Sequence, residues 1–228
     1  MSNQTYIVAT AHSWNHRVFE DRLATLPGIW RLITTREELT LELIDSLRPR
    51  YVFFPHWSHR VPREILDAAE CVCFHAADVP YGRGGSPIQN LIARGHRDTV
   101  VTALRMVEEL DAGPVYMKRP MSLEGLGEEI FLRLAGTVAD MIRDLAAEEP
   151  APVPQDGESV VFRRRTPEES RLPAEAPTLA ALFDHLRMLD VEGYPRAFLD
   201  VGDLRLEFSR PALRAGHIDA DVRITRRR

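Results

Sequence analysis

Along the first half of the chain, short apolar runs alternate with segments whose apolar residues recur every three or four positions. The runs at 6–9, 30–34, 51–54 and 71–75 read as strands. Between them, 18–26 and 37–47 read as amphipathic helices, and Pro62 opens a short third one. Thr35 followed by Glu38 has the spacing of a capping box for the second helix. Ser86-Pro87 pairs a capping residue with proline at the first helical position and starts a helix through Ile92. Further strands are expected at 100–107 and 115–118. Leu126, Ile130, Leu134, Val138, Met141, Ile142 and Leu145 then keep a helical period until the proline-rich stretch 150–154.

The pattern changes after that. A strand at 159–162 and a turn-rich stretch at 166–177 lead to one amphipathic helix, marked by Leu179, Leu182, Phe183, Leu186 and Leu189. Short strands follow at 197–201, 205–208 and 221–225. Strands alternating with helices predict an α/β domain on a parallel sheet, here 1–167, and 168–228 reads as a small α+β or β-rich domain. No internal repeat is evident.

Composition narrows the class. The 228 residues are 44% hydrophobic and 28% charged with both signs scattered, as in a globular chain. No apolar run approaches the roughly 18 residues of a membrane span, and 5–10 is too short for a signal core, so the expected setting is the cytoplasm, with no membrane partner. Two cysteines build no disulfide framework. The net charge is −5, and 151–228 carries 13 basic and 13 acidic residues, which argues against nucleic acid as a partner. Small-molecule substrates are expected instead, and a homodimer is left open.

The most informative stretch is Cys71-Val-Cys-Phe-His75, followed by Asp78-Val-Pro-Tyr-Gly-Arg-Gly-Gly-Ser-Pro87. Alternation along a strand puts Cys71, Cys73 and His75 on one face, which suggests a metal. Neighbours two apart on a strand start roughly 6.6 Å apart, however, too far to converge on one ion without a turn, so no metal is expected. His75 stands where the strand ends, the side of an open α/β sheet on which ligands bind. Gly82, Gly84 and Gly85 let the following loop fold tightly on a ligand, although the string lacks the P-loop lysine and the dinucleotide fingerprint. Asp111, in Leu110-Asp-Ala-Gly-Pro114, reads either as a turn aspartate or as the carboxylate that orients His75.

As an ordered set, Cys73-Phe-His75, Val79-Pro-Tyr-Gly-Arg-Gly84 and Leu110-Asp-Ala-Gly-Pro114 resemble the motifs of the 10-formyltetrahydrofolate-dependent formyltransferases. Ser86-Pro-Ile-Gln89 and Pro55-His-Trp-Ser-His-Arg-Val-Pro62 also match in position. The resemblance covers nearly the whole chain. It implies a Rossmann-like catalytic domain and a small C-terminal domain, with 10-formyltetrahydrofolate as formyl donor and no metal. It gives His75 the family histidine's proton-shuttling role and Asp111 the family aspartate's role. Folate is expected along Trp57, Val61, Pro62, Tyr81, Gly82, Arg83, Gly84 and Gly85. The family's oxyanion-donating asparagine is replaced by Cys73, a weaker donor, and Asn90 is the candidate substitute.

For the acceptor, the segments at 162–170 and 187–195 look like those of sugar N-formyltransferases, in particular the pseudaminic-acid branch. A nucleotide-linked amino sugar, specifically a UDP-linked 4-amino sugar, is therefore expected. Arg163 and Arg164 would hold its diphosphate. Tyr194 would stack on a flat ring, and Trp14 and Asn15, after the first strand, would touch ligand. A different small amine such as N-hydroxyornithine, or a non-catalytic folate- or nucleotide-binding homologue, is the alternative.

Overall fold

The computed structural model describes residues 4–175 and 178–227. Strands β1 (Thr5–Ala9), β2 (Ile29–Ile33), β3 (Tyr51–Phe54) and β4 (Cys71–His75) form the parallel part of a six-stranded sheet. After β5 (Tyr81–Gly84), the sheet is completed by β6 (Asp98–Arg105), antiparallel to β4, and β7 (Val115–Ser122), in the order β2-β1-β3-β4-β6-β7. Tyr6 through Ala9 and all of β3 are buried, as expected of central strands covered on both faces.

One face packs Ile7, Ala9, Val52, Phe54 and Cys71 against Ile33, Ile44, Val61 and Ile65. The other stacks Tyr6 on Trp30 at 4.5 Å and beside Phe53 at 6.4 Å, and the Tyr6 hydroxyl reaches the carbonyl of Ala146. Each such buried aliphatic or aromatic side chain contributes about 1.5–3 kcal/mol relative to exposure.

The helices are α1 (Ser13–Val18), α2 (Leu41–Leu47), α3 (Arg63–Ala68), α4 (Pro87–Ala93) and α5 (Gly127–Glu148). The expected helix 18–26 starts earlier, as α1, and runs into a wide π-helical turn at Phe19–Leu23 that buries Phe19 and Leu23. The expected capping box at Thr35 is not one. The hydroxyls of Thr34 and Thr35 donate to the Glu38 carboxylate at 3.1 and 3.0 Å, closing a turn instead of accepting helix N–H groups. The true cap is Thr40, whose hydroxyl accepts from Leu43 N at 3.2 Å. Ser86 does precede α4, but in the left-handed region (φ 50°), and its hydroxyl accepts from Arg165 N rather than capping.

Residues 81–85, expected as a loop, begin with a strand: β5 pairs with β8 (Val160–Phe162) in a separate two-stranded ribbon. β9 (Phe198–Val201), β10 (Leu204–Arg214) and β11 (His217–Arg226) form an antiparallel sheet in the order β11-β10-β9, the last two strands longer than their apolar runs suggested. A bulge between Ser209 and Ala212, with Arg210 at φ 49°, lets β10 continue past Pro211. Asp200 anchors this sheet. Arg205 (2.9 Å) and Arg171 (2.9 Å) hold its carboxyl down to about 2, with Arg227 at 3.5 Å. Helix α6 (Leu179–Arg187) ends on Arg187, which is 1% exposed and donates to Leu123 O and Gly125 O at 2.6 and 2.8 Å.

The chain divides into two compact units that interleave in sequence. One comprises residues up to Gly84 with Val100–Met121 and Arg133–Val161; the other comprises Gly85–Thr99, Ser122–Leu132 and everything from Phe162. Among the described residues, no helix is long and apolar enough to cross a membrane, and no group of three His, Cys, Asp or Glu side chains is arranged to hold a metal ion.

The first unit contains a charged clamp. Glu70 accepts from Arg50 (2.5 Å) and from the Tyr116 hydroxyl, and Arg50 also reaches Glu149 at 2.8 Å. Burial pushes the Glu70 carboxyl up, but the bonds from Tyr116 and Arg50 outweigh it and hold the group below its ordinary value of 4.5. A depressed carboxyl contributes stability above its unfolded value and loses it as pH falls through the folded one. In urea melts, Glu70→Gln is therefore less stable than wild type at pH 7, and the gap closes as pH drops below about 4.5. A gap independent of pH would refute the assignment.

Candidate active site

His75 is the last residue of β4 and Cys73 lies two residues before it, so both project from the same face of the strand. The register Cys73↔Leu104 and His75↔Thr102 holds this end of β4 against β6. Thr102 donates its hydroxyl proton to Ala77 O at 2.8 Å, fixing the turn that follows His75. The chain then bends back through β5, with Gly82 and Gly84 at φ 81° and 98°. Glycine is needed at both for that conformation.

The bend brings the Gly82 carbonyl to 2.7 Å from His75 Nε2. A carbonyl only accepts, so Nε2 is the donor in this contact, and Nδ1 is the ring nitrogen turned to the other side. Nδ1 lies 3.5 Å from Asp111 Oδ2, and both side chains are 9% exposed. Asp111 adopts φ 54°, a left-handed conformation that aspartate tolerates better than most residues. Its Oδ2 also accepts from Gly84 N at 2.9 Å. A proton arriving at Nδ1 thus meets a carboxylate held in place by a backbone N–H. That is the arrangement of a proton-transfer site.

Cys73 is half-buried beside this pair. Desolvation pushes its thiol far above the ordinary range, and the negative charge of Asp111 pushes it further. Cys71 is buried and pushed up to about 12 for the same first reason. Neither has the activated thiolate of a nucleophile.

The folate-side candidates divide between the two units. In the first, Val61 is 4% exposed and packs in the core, and Pro62 caps α3. Trp57 packs edge-on to Phe54 at 5.9 Å, and its buried Nε1 has no hydrogen-bond partner among the described residues. Tyr81 is half-buried, and Arg83 donates through Nε and Nη2 to Gln155 Oε1 at 3.0 and 2.8 Å. In the second unit, a Cβ on Gly85 would come within 2.4 Å of the Arg164 backbone, so chain packing alone requires that glycine.

The acceptor-side candidates are mostly committed to the protein. Trp14 is half-exposed and stacks on His12 at 4.4 Å. Asn15 is buried and donates to Thr10 Oγ1 and Pro55 O at 3.0 and 3.4 Å. Asn90 donates to Gly85 O and Arg163 O at 2.9 and 3.0 Å, so the amide expected to replace the family asparagine has no N–H left to offer. Tyr194 is tilted against Phe131 at 5.7 Å and hydrogen-bonds Ser86 and Gln89, a packed aromatic rather than an open stacking face. Arg163 pairs with Glu169 at 3.0 Å, while Arg164 is exposed.

One residue of this network escaped the sequence reading. Gln155 donates from Nε2 to the carbonyls of Asp111 and Gly113, both at 2.7 Å. It follows a proline-rich stretch that reads as a linker and belongs to no motif. Only the hydrogen bonds reveal it.

A family model described as the methionyl-tRNA formyltransferase C-terminal domain matches residues 167–225. A solved methionyl-tRNA formyltransferase from Clostridium thermocellum is 42% identical, covers 98% of this chain and 99% of its own, and superposes with a TM-score of 0.93. The methionyl-tRNA formyltransferase of Lysinibacillus sphaericus is 35% identical over 46% of this chain and 34% of its own. The chain thus spans about a third of that curated relative, and 59% of the one from Wolinella succinogenes. A 4-N formyltransferase from Francisella tularensis superposes with a TM-score of 0.66 at 14% identity, a likeness of fold alone.

These relatives overturn the expected nucleotide-linked amino sugar and its pseudaminic-acid branch: the similar proteins are named for methionyl-tRNA, and the sugar enzyme is distant. The segment at 187–195 and the end of the one at 162–170 fall within the matched C-terminal domain. The exclusion of nucleic acid, and the restriction to small-molecule substrates, fall with it. Net charge averages over the whole surface, whereas binding depends on how many phosphates are locally neutralised. With similarity running end to end at 42% identity, the chain belongs to the methionyl-tRNA formyltransferase family.

Proposed function

We propose that this protein is an N-formyltransferase that moves the formyl group of 10-formyltetrahydrofolate to the methionine amine of methionyl-tRNA, in the cytoplasm. The observation that carries the chemistry is the buried His75–Asp111 pair at the end of β4, with Nδ1 and Oδ2 at 3.5 Å. The acceptor comes from the names of the relatives that match along the chain.

The folate, when bound, supplies the activated formyl group. Trp57 Nε1, a buried donor without a protein partner among the described residues, fits an acceptor-bearing ligand beside the loop 55–62. His75 Nδ1 accepts the proton that the amine nitrogen must lose once it has added to the formyl carbon, and Asp111 stabilises it there. Gly82 O keeps the ring from rotating. The same proton is then available to the departing folate nitrogen. Transfer is direct, because a neutral amine is already a competent nucleophile. Residues 1–167 carry this chemistry and 168–228 form the C-terminal domain.

The test is transfer from labelled 10-formyltetrahydrofolate to purified methionyl-tRNA, with uncharged tRNA and a UDP-linked 4-amino sugar as parallel acceptors. Label on methionyl-tRNA alone supports the reading; none there sinks it.

Cys73 bears on the mechanism. If its protonated thiol only lines the space beside the developing formyl oxyanion, Cys73→Ser keeps substantial activity and Cys73→Asn preserves or raises it, since an amide is the stronger donor. Intact-mass spectra during turnover then show no formyl group on the protein. A trapped, kinetically competent formyl thioester would replace direct transfer by covalent catalysis.

A further inference from the structure

We infer that Gln155 is a positioning residue for the His75–Asp111 pair, an inference that rests on the formyl-transfer reading above. Gln155 lies between α5 and β8, and its side-chain amide is saturated. Both Nε2 hydrogens go to carbonyls of the Asp111 turn, Asp111 O and Gly113 O at 2.7 Å each. Both Oε1 lone pairs take N–H groups of Arg83, from Nε at 3.0 Å and Nη2 at 2.8 Å. One planar group therefore ties the turn that carries the carboxylate to the strand that carries the Gly82 carbonyl and Gly84 N–H.

Those are the two segments that set the imidazole's surroundings. Gly82 O holds Nε2, and Gly84 N holds Asp111 Oδ2 opposite Nδ1. Asp111 is at φ 54°, a conformation that persists only where neighbours over-determine it. Gln155 does so by engaging the carbonyl of Asp111 itself. Its half-buried amide bonds the Asp111 and Gly113 carbonyls and the Arg83 guanidinium, and so acts on the carboxylate through the backbone.

Only an amide satisfies both ends, and Gln155→Glu separates them. A carboxylate still accepts from Arg83 but turns an acceptor oxygen toward two carbonyls, so the turn loses both donors. We expect kcat to fall at least about tenfold with KM for either substrate within about threefold, the pattern of a displaced catalytic group rather than lost substrate contacts. In an Asp111→Asn background, the same substitution costs less than about twofold, because there is no longer a carboxylate to position. In protein labelled with ¹⁵N-histidine, the His75 ring resonances, assigned by their loss in His75→Asn, shift in Gln155→Glu even without substrates. Should Gln155→Glu fail to fold, Gln155→Asn, which keeps the amide but falls one methylene short, is measured in the same way.

A loss that is additive with Asp111→Asn, or His75 resonances that stay in place, overturns the proposal and leaves Gln155 a structural clamp. A wild-type protein that transfers no formyl group overturns the functional reading instead. The ring resonances then still report whether Gln155 governs the pair.

Discussion

Replacing His75 by alanine, or Asp111 by asparagine, lowers formyl transfer at least about a hundredfold while the thermal melt stays close to wild type. A positioned acid–base group contributes about 10²–10⁴ to rate, and Nδ1 of the imidazole faces the Asp111 carboxylate at 3.5 Å. Nε2 is occupied by Gly82 O at 2.7 Å, so the transferred proton has Nδ1 as its place on the ring. Asparagine at 111 keeps an oxygen for Gly84 N, now at 2.9 Å from the carboxylate, and so isolates the loss of charge from the loss of a turn contact. Single-turnover rates with saturating donor and acceptor separate chemistry from binding. Near-wild-type rates in either variant remove that residue from the mechanism.

Much of the fold was legible because the central strands are apolar runs with no competing reading. Residues 51–54 and 71–75 match β3 and β4 residue for residue. The departures have local causes. Thr35 and Glu38 satisfy each other as side chains, so the capping-box spacing is present without the cap. β5 carries two left-handed glycines, which look like loop residues and are nonetheless compatible with one edge pairing to β8. β10 contains Pro211 and alternating charges, and a bulge absorbs them. No sequence period signals a bulge in advance.

The candidate site was legible in a different way. His75 was visible as the polar end of a buried strand. Asp111 was visible only through the ordered motifs, since Asp-x-Gly by itself is turn chemistry. The structure gives it both characters at once, a left-handed turn residue whose carboxylate faces the ring. Asn15, Asn90 and Tyr194 looked like ligand contacts because polar and aromatic residues near strand ends invite that reading. Their hydrogen bonds are spent on their own units. The acceptor could not be read from net charge, which reports the whole chain and not any one face of it.

Gly113→Ala is expected to be the most damaging conservative change in the turn. A Cβ at this position would lie 1.7 Å from the carbonyl oxygen of Arg105 and 2.9 Å from its carbon. The obstacle is backbone, at the end of β6, and that backbone is itself bonded to the turn through Arg105 N and Pro114 O at 2.9 Å. No rotamer relieves the overlap, so either β6 or the turn must move. Forcing atoms into a packed interior typically costs about 1–3 kcal/mol. The turn is the softer element, and Asp111 sits two residues before the glycine, with Gln155 bonded to both carbonyls. Its displacement carries the carboxylate away from Nδ1. We therefore expect activity to fall at least about tenfold, with the urea midpoint lowered by an amount that corresponds to about 1–3 kcal/mol. The control is Gly95→Ala, where no atom lies within 4 Å of the added Cβ and only the positive φ of 83° is penalised. That variant should lose some stability and keep its turnover. If Gly113→Ala also keeps wild-type turnover at a lowered midpoint, the turn has relaxed without moving Asp111, and the tight coupling between this backbone and the His75 site is wrong.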